Sequence, residues 1–275
     1  MRSFPNVVLL AAAFFALHPP AESEAQLRRV QPSDDPVVAL QVTKAFIDTG
    51  GFGDGFSWYT SVIRGRLVTP IGESTAFVAD WGVSLAGVGS ESDATLANPE
   101  LGITFIDDDG ASSGFVSVIL PLAKTIGEEG GFGFGGSTAT AILSDPIWLE
   151  RFAPDLLSLN AGITPSSAIG DGDATRLNYE LTGSFLMPTE DGGENEFFAR
   201  YGFGISHALE SVRLRADVNG IAVLSEGDLD FGERTIHELF LGIEGVDGGP
   251  GFFVKVPLDE NFDSVDAVIG ATLVF

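Results

Sequence analysis

Histidine is the side chain best suited to acid–base work near neutral pH, and this 275-residue chain has three, His18, His207 and His237. There is no cysteine, which removes disulfides, thiolate metal sites and cysteine nucleophiles together. His207 falls near a segment end, read on the polar parity described below, with Ser206 and Ser211 close by. A serine activated by histidine could attack an acyl ester. His237 falls on the apolar parity near a segment start, where an interfacial position is the ordinary reading. Residues 131–136, Gly-Phe-Gly-Phe-Gly-Gly, satisfy G-x-G-x-x-G, but Ser, Thr and Ala follow instead of a strand–turn–helix context, so the run reads as a flexible loop. Acidic clusters at Asp107, Asp108 and Asp109, at Asp171 and Asp173, and at Glu226, Asp228, Asp230 and Glu233 could offer oxygens to Ca²⁺ or Mg²⁺. None completes an EF-hand loop, and they read as solvated turns. No catalytic residue, metal or cofactor is assigned, and the chain is read as a non-enzyme.

The elements that would hold such residues are strands. The chain has 35 Gly and 22 Phe, a composition of many turns and aromatic-rich strands. Fourteen Lys and Arg against 39 Asp and Glu give a net charge of -25, which leaves no basic face for nucleic acid. An unbroken apolar run from Val7 to Leu17, preceded by Arg2 and followed by Pro19-Pro20 and Ser23-Glu24-Ala25, predicts a signal peptide over 1–25, cleaved before Gln26. A short periplasmic segment, 26–36, is expected to follow. No later stretch is long and apolar enough for a spanning helix.

From Val37 onward, apolar and polar residues alternate in segments separated by Gly, Asp, Pro, Ser and Asn. In 212–219, Arg213, Arg215, Asp217 and Asn219 share one parity and Val212, Leu214, Ala216 and Val218 the other. The segments are 37–48, 57–69, 74–87, 96–107, 112–122, 156–165, 175–187, 195–207, 211–224, 233–245, 250–258 and 264–275, an even twelve. Charge placement separates a membrane barrel from a soluble sandwich. The polar parity carries Arg64, Arg66, Arg176, Arg200, Arg213, Arg215, Arg234 and Lys255 against Asp80, Glu100, Glu180, Glu196, Asp217, Glu238, Glu244 and Asp266, and is neutral while the connections are strongly acidic. A balanced polar face is an enclosed one, because unpaired charges are costly in confinement. The other parity, with Tyr59, Tyr179 and Tyr201, then meets lipid. Acidic connections keep the rim soluble and disfavour free anions at the mouth.

The last segment alternates Val265, Ala267, Ile269, Ala271, Leu273 and Phe275. An exported chain that ends this way resembles Gram-negative outer-membrane β-barrel proteins. The motifs Leu120-Pro121-Leu122, Met187-Pro188-Thr189, Val256-Pro257-Leu258-Asp259 and Asn98-Pro99-Glu100-Leu101-Gly102 look like those of the outer-membrane transporters grouped under the phenol meta-degradation pathway name. The resemblance implies an outer-membrane location, contact with outer-membrane lipid, Phe275 as the signal read by the barrel-assembly machinery, and passage of an unspecified small-molecule solute. The twelve-stranded outer-membrane phospholipases are the enzymatic relatives to consider, but their His-x-Ser spacing is absent, since residue 209 is Leu.

The expectation is therefore an all-β protein: one antiparallel transmembrane barrel of about twelve strands over 37–275, with one long extracellular loop. Its lumen is lined by Arg64, Arg66, Asp80, Glu100, Arg176, Glu180, Arg200, Arg213, Arg215, Asp217, Arg234 and Glu238. The long connection, 123–155, contains 144–152, where a Ser-Asp-Pro start and apolar spacing predict a short helix. Two positions are open to it, inside the barrel mouth with Trp148 and Phe152 narrowing the lumen, or outside as a cap. A non-transporting structural or surface-interaction barrel is the second function class, and a lipid-modifying enzyme the third.

Overall fold

The structure, a computed structural model, describes residues 35–47, 58–88, 91–107, 112–126, 138, 141–142, 144–170, 174–190, 193–225, 234–245, 250–259 and 265–275. The expected signal segment, the Gly-rich run at 130–136 and most of the acidic clusters lie outside these residues.

Fourteen strands follow in chain order: β1 (Val37–Ile47), β2 (Trp58–Gly72), β3 (Thr75–Val88), β4 (Glu91–Leu96), β5 (Glu100–Ile106), β6 (Ser112–Ile119), β7 (Lys124–Ile126), β8 (Leu156–Ala168), β9 (Thr175–Pro188), β10 (Glu196–Ala208), β11 (Val212–Val223), β12 (Thr235–Gly245), β13 (Gly251–Pro257) and β14 (Val265–Val274). Successive neighbours pair antiparallel, β1 pairs with β14, and β2 pairs with both β1 and β3, so the sheet closes on itself. At the level of β5 and β6 closure pairs every stave on both sides, whereas β7 pairs with β4 alone among the described residues.

Fourteen strands make twelve staves, because two staves are each broken in two. β4 and β5 both lie on β3, at its two ends, and β7 and β6 lie beside them in turn. The break at 97–99 also reverses parity. Thr95 is buried and Leu96 exposed before it, whereas Glu100 is buried and Leu101 exposed after it. A continuous strand would turn one of those carboxyl or hydroxyl groups outward. Pro99 and Pro121 cannot donate to a ladder, which is why the chain stops pairing at these points. The two breaks lie side by side, joined by the Leu120 amide donating to the Pro99 carbonyl at 3.0 Å.

β8 runs to Ala168, so the connection that follows it is shorter than the sequence spacing indicated. Connections on that rim, where β1 begins and β14 ends, span few residues, and the long ones gather at the other rim.

The alternation of burial follows the alternation of polarity. Val116, Ile163, Leu181, Phe203 and Phe252 are each more than half exposed, far more apolar surface than water tolerates on a monomer. This face is the lipid belt of a membrane barrel. In β14, Ile269 is exposed and Val268, Thr272 and Val274 are buried, and Phe275 just after it is exposed. The sequence parity fails at the start of that strand. A bulge opposite Phe46 and Ile47 turns Val265 inward, 4% exposed, and leaves Asp266 exposed. One extra residue re-aims every side chain before it.

On the outward face, Tyr201, Gly220 and His237 are in register across β10, β11 and β12. The Tyr201 ring lies where a Cβ on Gly220 would sit, 2.5 Å from that position. Its hydroxyl is 2.7 Å from Nε2 of His237, and Nδ1 of His237 is 3.1 Å from Asp259 Oδ1.

Candidate functional site

The long connection returns into the barrel. After described residues at 141–142, the chain makes a short 3-10 helix, Pro146–Arg151, with Pro in the first turn, whose fixed φ suits a helix start. Its backbone breaks helical geometry at Trp148 (φ -130°, ψ 47°), which lets side chains one or two residues apart point to different walls. Ile147, Trp148, Glu150, Arg151 and Phe152 are all buried, Glu150 and Phe152 almost completely. Of the two positions open to this segment, the structure has the one inside the lumen.

Ion pairs to opposing walls hold it there. Asp145 accepts hydrogen bonds from Arg64 of β2 and from Lys255 of β13, both at 2.9 Å. Arg64 also donates to Asp80 of β3 at 3.0 Å, and Lys255 is 3.4 Å from Glu238 of β12. Arg151 reaches Glu100 of β5 at 2.6 Å, and the other oxygen of Glu100 accepts from Ser117 of β6 at 2.6 Å. Glu150 accepts from Arg200 of β10 at 2.5 Å. The same guanidinium donates through Nε to the Ile147 carbonyl at 2.6 Å and through its third nitrogen to Ser184 of β9. It also stacks on the Trp148 ring, 3.9 Å from the centroid. Each charged side chain of the segment, Asp145, Glu150 and Arg151, has an opposite partner on the wall, as charges out of water require.

Two further contacts fix the ends of the segment. Above Arg200, Ile147 and Trp148 pack on Leu186 of β9, Phe198 of β10 and Ile221 of β11. Asn98, in the break between β4 and β5 and 2% exposed, donates to the carbonyls of Glu150 and Ala153 at 2.9 and 2.6 Å. Its Oδ1 accepts from the amides of Leu122 and Ala123. A cavity of about 70 Å³ remains against the segment, with Arg64, Asp145, Trp148, Arg200, Glu238 and Lys255 on its wall.

The residues picked from sequence are placed as follows. Arg64, Arg66, Asp80, Glu100, Arg200, Arg215, Asp217 and Glu238 are buried, on the inward parity. Arg176, Glu180, Arg213 and Arg234 are half-buried. Arg215 pairs with Asp217 two residues on, at 2.5 Å, while Arg176 donates to Ser166 at 3.0 Å at the short-turn end. Of the twelve, Arg64, Glu100 and Arg200 pair with the inserted segment, and Asp80 pairs with Arg64 and lies 3.8 Å from Arg151 of the segment. His207 is corrected: it is exposed, in register with Leu214, and bonded to Thr175 at 2.8 Å. Counting from Phe203 and Ile205 puts it outward, while Ser206 faces the lumen, so the serine and histidine are on opposite sides of the wall. Asp145, Glu150, Arg151 and Asn98 escaped the sequence reading. Their partners are 24 to 110 residues away in sequence, and loop residues have no parity from which to read an orientation.

A closed antiparallel ring of twelve staves, apolar outside and ion-paired inside, defines an outer-membrane β-barrel protein. The chain is similar to several solved structures. An outer-membrane channel from Pseudomonas putida F1 superposes with a TM-score of 0.53 at 8% identity, over 92% of this chain and all of that one. LpxR from Salmonella typhimurium gives 0.48 at 10% identity, over 87% and 99%. The transport unit of the autotransporter AIDA-I from Escherichia coli gives 0.46 at 14%, over 99% and 96%. No family model matches the chain, and no curated protein matches it.

Proposed function

We propose that the barrel passes small solutes across the outer membrane through its lumen, with residues 144–152 as the element that closes it at rest. The narrower resemblance to the phenol meta-degradation group of transporters belongs to this proposal, as do the outer-membrane lipid and assembly-machinery contacts and a non-enzymatic role. The observation that carries it is how the segment is held. Asp145, Glu150 and Arg151 each pair with a different part of the wall, and the wall keeps partners of its own for Arg64 and Lys255 once Asp145 leaves. A filler meant to be permanent is more simply built from apolar wall side chains, since buried ion pairs add little net stability over them.

Planar-bilayer recording of the refolded chain tests this, with folding checked by heat-modifiable gel migration. Stepwise conductance is expected, rare in the unsubstituted chain and frequent in Trp148→Ala. Silence in both, from folded protein, would leave the second reading, a permanently closed structural or surface barrel. The filling of the lumen at its middle level by Arg151, Glu100, Asp80 and Arg64 is the feature that favours it.

A further inference from the structure

Four consecutive residues of the inserted segment present a small amphipathic ligand to one wall. The Trp148 ring and Ile147 side chain lie against Leu186, Phe198 and Ile221. Next to them, the Glu150 carboxylate sits on Arg200 at 2.5 Å. Arg200 is 1% exposed, and three of its contacts, the Ile147 carbonyl, the Trp148 face and Glu150, come from the segment. Among the described residues, the wall itself gives it only the Ser184 hydroxyl. This sets Arg200 apart from Arg64 and Lys255, which keep Asp80 and Glu238 whatever the segment does.

When the segment withdraws, the wall bares a guanidinium fork below three apolar side chains. A fork of this shape is matched by a planar carboxylate, and the apolar patch by a ring or short alkyl body. We propose that the groove filled by Ile147–Glu150 is a solute site for small carboxylic acids with an apolar body, and that the segment occupies it as an internal stand-in. This rests on the reading of the barrel as a solute passage. Glu180 lies on the same cavity and is the wall's own competitor for the guanidinium. An acidic mouth that repels small free anions, in front of a site that rewards an apolar body, selects for an acid whose body contributes to binding.

The test uses the refolded full chain in detergent micelles, titrated calorimetrically with 3-phenylpropanoate, 3-phenylpropanamide and acetate. In Glu150→Gln the internal carboxylate no longer competes, so the acid should bind at least about tenfold tighter than to the unsubstituted chain. It should also bind about tenfold or more tighter than the amide, with acetate weaker than either. Arg200→Gln should erase the acid-over-amide preference. Trp148→Ala, which empties the apolar half of the groove and leaves Glu150, serves where Glu150→Gln does not fold, and the unsubstituted chain at millimolar probe offers the same comparison. Equal affinity for acid and amide, or no binding, in every folded form overturns the site. Failure of the passage reading is separate: it is silence in the bilayer, which binding in micelles neither requires nor prevents.

Discussion

Asn98 Oδ1 accepts a hydrogen bond from the backbone amide of Ala123 at 2.5 Å, twenty-five residues further along the chain. The contact joins the break between β4 and β5 to the break between β6 and β7. Because the other end of the same amide group holds the carbonyls of Glu150 and Ala153, one buried side chain replaces ladder bonds missing from two staves and anchors the inserted segment.

Replacing Asn98 by Ala leaves two amides and two carbonyls without this partner. At about 1 kcal/mol for each of the four hydrogen bonds lost, with a further desolvation cost for groups left unpaired, the loss should total about 4 kcal/mol or more. Urea unfolding of vesicle-inserted protein should show a lowered midpoint. Asn98→Asp should be worse still, because it sets a carboxylate against two carbonyl oxygens.

Asp145→Asn keeps the shape and removes the charge that Arg64 and Lys255 share. Both cations retain a wall carboxylate, so the barrel should stay folded while the segment loosens. More frequent or larger conductance steps are expected in the bilayer, together with faster protease cleavage within 144–152. Unchanged gating would mean that Asp145 does not hold the segment.

Gly220→Ala places a methyl group against the Tyr201 ring, which must swing away and lose its hydrogen bond to His237. About 1 to 3 kcal/mol of destabilisation follows from the overpacking. Gly72→Ala is the control: its nearest neighbour atom would be 3.8 Å away, and a change under about 0.5 kcal/mol is expected.

Leu181→Arg tests the membrane assignment directly. Leu181 is 56% exposed, and on a water-facing wall the change should be close to neutral. On a lipid-facing one it should cost about 2 to 4 kcal/mol near the bilayer midplane, read as reduced folding yield in vesicles. A neutral result would sink the assignment.

Period-two alternation made the staves and their inward faces readable, since polarity along 212–219 already names which residues of β11 turn in. The alternation breaks down where pairing geometry changes without a change of composition. Nothing in the residues around Asp266 marks the bulge that turns Val265 inward, and the parity reversal at Ala97-Asn98-Pro99 hides inside what reads as one short segment. Trp148 and Phe152 drew attention because a connection as long as 123–155 needs an explanation, and the apolar spacing within it suggests a short helix. The ionic contacts of Asp145, Glu150 and Arg151 were not, because they depend on how a loop without periodicity is threaded between walls.

The Phe275 amide donates to the Val38 carbonyl at 2.8 Å, and the Val38 amide donates back to Phe275 at 3.1 Å. The barrel's first and last staves therefore meet at one rim, and the wall is a loop of chain with no structurally privileged beginning. Such a ring is a candidate for circular permutation: joining 275 to 37 by a short linker and opening the chain at the turn 209–211 would preserve every stave pairing while moving both termini to a different seam.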